Sequence, residues 1–102
     1  MTISLVMLVK NPPMDRLAAL IEYMQPVIAE TVIVDTGSHS RDKRLMSSLP
    51  DTVVISHEWQ DDFSEARNVG LKEAIGDWTL VLDPDELPSF HMLALLSTVS
   101  SM

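Results

Sequence analysis

The sequence predicts an α/β fold, a doubly wound and mostly parallel sheet of about four strands with helices between them. Three observations predict it. Four short apolar or β-branched runs alternate with stretches of helical spacing, which calls for right-handed crossovers between parallel strands. Three of those runs stop on polar groups, first Lys10 and Asn11, then Asp35, then Asp83. In open α/β sheets ligands bind beyond the carboxyl ends of the strands, so neighbouring ends of this kind would form one cleft. Finally, the 102 residues contain no repeat, linker or low-complexity segment, and a single domain over 1–102 is the working expectation.

Ile3 to Val9 is nearly continuous in apolar residues, as a central parallel strand should be. Asn11 is placed to cap a following helix, with Pro12 at its first position, and Leu17, Leu20, Ile21 and Met24 recur at helical spacing before Pro26. Thr31 to Val34 is a second strand, running into Asp35, Thr36 and Gly37. A short helix over Arg41–Leu49 and a turn at Pro50 and Asp51 lead to a third strand, Thr52 to Ile55. His57 to Asp61 reads as a loop. Asp62 and Glu65 have the spacing of a capping box for a helix from Phe63 to Ile75, with Phe63, Ala66, Val69, Gly70 and Ala74 on one face. Gly70 weakens that helix by roughly 1 kcal/mol relative to Ala, so close packing is its expected compensation. Gly76 is placed for a left-handed helix end. The fourth strand, Trp78 to Leu82, reads as buried on both faces, and a last helix with a weak apolar face falls within Pro88–Met102.

Asp83, Asp85 and Glu86 crowd the end of the fourth strand. Pro84 disfavours a helical Asp83 and turns the chain, which brings Asp83 and Asp85 close together. Such a turn is either simply solvated or closed by a cation between the carboxylates, and an all-oxygen pair suits Mg²⁺ or Mn²⁺ better than zinc. Asp35 is likewise either a turn residue before Gly37 or a ligand contact, and Lys10 either meets a phosphate or is solvated. Glu86, Asp61 and Asp62 read as solvated or capping. His39, His57 and His91 lack the paired spacing of a metal site, and neither a hydrolase elbow nor a glycine-rich phosphate loop occurs.

Composition narrows the function. A formal net charge of −8 and a pI near 4.5 argue against a nucleic-acid partner, so an anionic ligand needs a metal ion or a local Lys or Arg. There are no cysteines to form disulfides or thiolate sites. Ile3–Val9 is far shorter than the ~20 residues of a membrane span, and it lacks the flanks of a signal peptide. A cytoplasmic protein with no membrane span is expected.

Four pieces in order, SLVMLVKN at 4–11, TVIVDTGS at 31–38, DDFSEARNVGLKEAIGDW at 61–78 and LVLDPDE at 80–86, resemble the family 2 glycosyltransferases. These are inverting enzymes of GT-A fold that use nucleotide sugars. The resemblance implies a UDP- or GDP-linked sugar as partner and a strand order of third, second, first, fourth. It implies that Asp35 reads the nucleotide base and that Arg67 lies near the nucleotide and its phosphates. Asp83 and Asp85 match the D-x-D element, Asp83 toward the ribose and Asp85 holding the divalent cation on the diphosphate. Pro12 and Pro13 depart from the acidic residues common in relatives, as do His39 and Ser40 from Thr and Asp. The acceptor-binding half usual after this element, with its general base, has no counterpart here, so no catalytic residue is assigned. The expectation is the amino-terminal nucleotide-binding portion of a glycosyltransferase, the alternative a non-catalytic nucleotide-binding or interaction module. A sheet ending after its fourth strand is also expected to be covered by a second copy or a partner chain.

Overall fold

The amino-terminal apolar run becomes the middle of the sheet. In the computed structural model, which describes residues 1–84 and 88–102, strands β1 (Ile3–Val9), β2 (Glu30–Asp35), β3 (Thr52–Ser56) and β4 (Trp78–Val81) form one sheet in the order β3-β2-β1-β4. All three pairings are parallel, and the order is the one the resemblance implies. Helices α1 (Met14–Met24), α2 (Ser40–Ser47), α3 (Phe63–Glu73) and α4 (Phe90–Ser100) fill the connections and the carboxyl end.

Register fixes which residues share a face, because strand side chains alternate. Leu5, Met7 and Val9 stand beside Thr31, Ile33 and Asp35. On this face Leu5, Met7, Val9 and Ile33 pack with Leu17, Leu20, Ile21 and Met24 of α1 and with Met46 of α2. The opposite face carries Val6 and Val34, and α3 lies on it. A Cβ added at Gly70 would come 2.6 Å from Val6 Cγ1 and 2.9 Å from Val34 Cγ2, so this position must lack a side chain. Gly70→Ala should therefore lower stability by about 1–3 kcal/mol in chemical denaturation, the usual cost of overpacking. The glycine thus tolerates a poor helix propensity in exchange for contact between α3 and the sheet.

The two middle strands are buried and the edge strands are not. Along β1, residues Ile3–Met7 are sealed from solvent, whereas Trp78 and Val81 of β4 are 56% and 41% exposed. The expectation that the fourth strand is buried on both faces is thus corrected: an apolar run at the sheet edge has one neighbour, β1, and α3 packs mainly on the two middle strands. Helix α4 has no fully buried residue and packs only Leu93 and Leu96 partly against the core.

Three local expectations are also corrected. Asn11 does not cap α1, which starts at Met14 with Pro13 before it and no side-chain cap. Two prolines hold the chain extended there, and Asn11 instead takes a left-handed φ of 45° and ties the end of β1 to the next loop. Its N–H donates to Ser38 Oγ at 2.7 Å, and its Oδ1 accepts from the His39 N–H at 3.0 Å. Gly76 is not a left-handed helix end; α3 stops where Ala74 turns extended, and Gly76 is required because a Cβ would lie 2.6 Å from Ser4 Oγ. Phe63, placed by its phase on the packed face of α3, is 65% exposed. The first turn of α3 lies out at the strand ends, where the sheet no longer backs it. Asp62 does cap α3, accepting from the Glu65 N–H at 3.1 Å, while the Glu65 carboxylate turns instead to His57 Nε2 at 3.3 Å.

Candidate active site at the carboxyl ends of the strands

The chain runs outward from β1 to β2 and β3, then returns to place β4 on the other side of β1. Right-handed crossovers in opposite directions put their helices on opposite faces, as α1 and α2 against α3 show. The connections therefore part between β1 and β4, the switch point at which open α/β sheets bind ligands. Lys10 leaves β1 there, and Asp83 leaves β4 there. The Leu82 N–H still donates to Val6 O at 3.2 Å, so Asp83 is the first residue beyond the ladder. A polar cavity of about 330 Å³ opens at this point, with Lys10, Asn11, Arg16 and Pro84 in its walls. In a chain of net charge −8, Lys10 and Arg16 make it the local place for an anion.

The strand-end aspartates differ in state. Asp35 is 1% exposed, and both of its carboxylate oxygens accept from the Ser38 N–H at 3.2 Å. Lys43 Nζ, from α2, lies 3.5 Å from Asp35 Oδ2. Asp35 thus pins the loop around Gly37, whose φ of 141° suits only glycine, and links that loop to α2. Asp83 is exposed at the mouth of the cleft. Asp85, predicted to hold the metal, lies outside the described residues. Among the described residues no group of three or more His, Asp or Glu side chains is gathered to hold a metal ion.

Arg67 is exposed on α3. Glu65 meets His57 on the β3 side of that helix, and at 100° per residue Arg67 falls on the other flank, toward β1 and β4. The structure thus places Lys10 and Asp83 just beyond the adjacent strands β1 and β4, sets Arg67 on the flank of α3 toward those strands, and holds Asp35 inward on the face of α1 and α2.

Sequence reasoning missed Lys43, Ser38 and Trp59. Lys43 and Ser38 act through burial that no spacing announces. Trp59 had a signal, an aromatic four residues before Phe63 in the loop that opens α3. Its ring meets that of Phe63 edge-on, with centroids 4.8 Å apart and planes at 69°. Together with Leu8, Val9, Lys10 and Thr36 the two rings line a second cavity of about 280 Å³ at the ends of β1 and β2.

Similarity to known proteins agrees with this fold. The model of the family described as "Glycosyl transferase family 2" matches residues 6–97. A TPR repeat-containing protein of Synechococcus elongatus is 34% identical over 84 residues, covering 82% of this chain and 20% of its own length. Among solved structures, S. aureus TarS 1–349 superposes with a TM-score of 0.68 at 19% identity, over 96% of this chain and 32% of its own. A mycobacterial protein gives 0.66 at 19% identity, over 99% and 37%. The chain therefore spans about a fifth of the curated relative and about a third of the solved chains. Since the family model matches nearly the whole of this chain, the chain belongs to glycosyl transferase family 2.

Proposed function

We propose that the chain is the donor-binding portion of an inverting, metal-dependent glycosyltransferase, which holds a UDP- or GDP-linked sugar at the β1–β4 switch point. The observation that carries this reading is the polar cavity walled by Lys10, Arg16 and Pro84 where the adjacent strands β1 and β4 end, Lys10 following one strand and Asp83 the other. Lys10, Arg16 and Arg67 are the cations available to a diphosphate. Asp83 and Asp85 would hold Mn²⁺ or Mg²⁺ there, and a bound cation would offset the repulsion between those carboxylates and the phosphates and stabilise the departing nucleoside diphosphate. An acceptor hydroxyl would then attack the anomeric carbon from the side opposite the leaving diphosphate, inverting it. No residue of this chain is assigned the base that removes the hydroxyl proton. Asp35 shapes the loop through Ser38 and Lys43 and in this reading also accepts from a ring N–H of the base, since one shared N–H and one lysine leave its carboxylate acceptor positions to spare.

Calorimetric titration of UDP and GDP with and without Mn²⁺ tests the reading. Binding should require the metal, and Asp85→Ala and Asp83→Ala should each abolish that dependence. Unchanged metal-dependent binding by both variants would refute it.

The exposed Trp78 and Val81 of β4 and Leu95 of α4, at 56%, 41% and 60%, favour a second reading, in which this surface is covered by a second copy or a partner chain. Self-association is then expected in light scattering, and a monomer at high concentration would contradict it. No helix among the described residues is long and apolar enough to cross a membrane. A cytoplasmic location is part of the donor-binding proposal.

A further inference from the structure

We propose that Trp59 and Phe63 form the ring-recognition wall of the donor site, and that a planar heteroaromatic base enters the cavity beneath the start of α3 and stacks on Phe63. The inference rests on the donor-binding reading above and adds to it the residues that select a nucleotide by its ring.

The loop before α3 is built to hold these aromatics. Asp61 adopts a left-handed φ of 56°, uncommon for a residue other than glycine. In that conformation its Oδ1 accepts the Trp59 indole N–H at 2.9 Å, which fixes the indole edge-on against Phe63. Phe63 nevertheless leaves 65% of its surface in water. A large aromatic ring held in place yet unburied, at the strand ends, is a surface prepared for another flat group.

The rest of the cavity suits a nucleoside. Leu8 and Val9 are apolar, and Thr36 and Lys10 supply the polar groups. The Thr36 hydroxyl donates to Val9 O at 3.0 Å, so its oxygen is left to accept from a ring N–H. Lys10 lines both this cavity and the polar one beside Asp83, and it can meet the phosphates of a nucleotide whose base lies under α3. With the Asp35 carboxylate buried against Ser38 and Lys43, the aromatic wall is the ring-binding surface open to solvent here.

The test uses Trp59 as reporter in a Trp78→Phe background, where it is the one remaining indole. UDP and GDP should quench its fluorescence, while ribose 5-phosphate and pyrophosphate with Mn²⁺, which lack a base, should not. Phe63→Leu should weaken UDP and GDP binding about tenfold or more, as loss of a base-stacking partner does, with pyrophosphate–Mn²⁺ binding unchanged. Phe63→Trp should restore it. Because Phe63 is exposed, circular dichroism should show both variants folded; the quenching in the Phe63 chain is independent of them. Equal UDP and GDP affinity in Phe63→Leu and wild type would overturn the inference. So would a wild type that binds pyrophosphate–Mn²⁺ as tightly as the nucleotides, which leaves the diphosphate site standing. Failure to bind either would overturn the donor-site reading and this inference with it.

Discussion

Asp35 and Asp83 both end an apolar strand of one parallel sheet, yet one is sealed inside the protein and the other faces solvent. The difference comes from the path of the chain beyond each strand. After β2 the loop folds back so that the Ser38 N–H and Lys43 reach the carboxylate. After β4 the chain leaves an edge strand, and Asp83 comes out exposed at the switch point between β1 and β4. A carboxylate at a strand end can thus be built into its own loop or come out to solvent, and it is exposure that sets Asp83 apart from Asp35.

Asp35→Ala is the largest test of that contrast. It removes a buried acceptor and the counter-charge of Lys43, and should lower stability by about 2–4 kcal/mol in urea denaturation. Asp83→Ala should cost a small fraction of that while removing metal-dependent nucleotide binding. Equal stability losses would break the comparison.

Lys43→Met comes next. Lys43 is about a third exposed, so the pair is partly screened, and the expected loss is about 1 kcal/mol with nucleotide binding retained. A loss as large as that of Asp35→Ala would mean that the ion pair, rather than the Ser38 N–H, carries the stabilising role.

Asp77 sharpens the comparison from the opposite end of the sheet, as an exposed carboxylate that is nevertheless hydrogen-bonded. The Thr2 backbone N–H at 2.8 Å, then the Thr2 hydroxyl at 3.1 Å, hold its carboxyl below the ordinary aspartate value, and the amino-terminal charge adds to this. A carboxyl lowered in the folded state contributes stability that is present above its unfolded pKa and lost as pH falls through the folded one. The melting-temperature gap between wild type and Asp77→Asn should therefore be small, greatest at neutral pH, and should close in acid below the usual aspartate range. A gap constant across that range would show that the Thr2 contacts act without regard to charge.

Much of this arrangement was legible in the sequence. The strands were readable as apolar runs, most clearly β1 and β2, because burial on both faces makes parallel strands nearly continuous in apolar residues. The packing role of Gly70 was readable because a glycine inside a helix needs a reason. The strand order came from the family resemblance, since periodicity carries no order. The features that stayed hidden depend on neighbours that spacing does not reveal. Trp78 to Val81 is as apolar as a buried strand but sits at an edge, and Phe63 shares the phase of Gly70 but lies where the sheet ends. Asp35 and Asp83 look alike in sequence, and only the fold places Lys43 against one of them.

The central claim is that the donor binds where β1 and β4 end. Mn²⁺ broadens the signals of nearby amides, so an amide spectrum recorded with UDP and substoichiometric Mn²⁺ tests it most directly. Lys10, Asn11, Leu82 and Asp83 should broaden first, while Glu30, Gly76 and Asp77, at the opposite end of the sheet, should stay sharp. Broadening centred on Glu30 and Asp77, or none at all in folded protein with UDP present, would contradict the account.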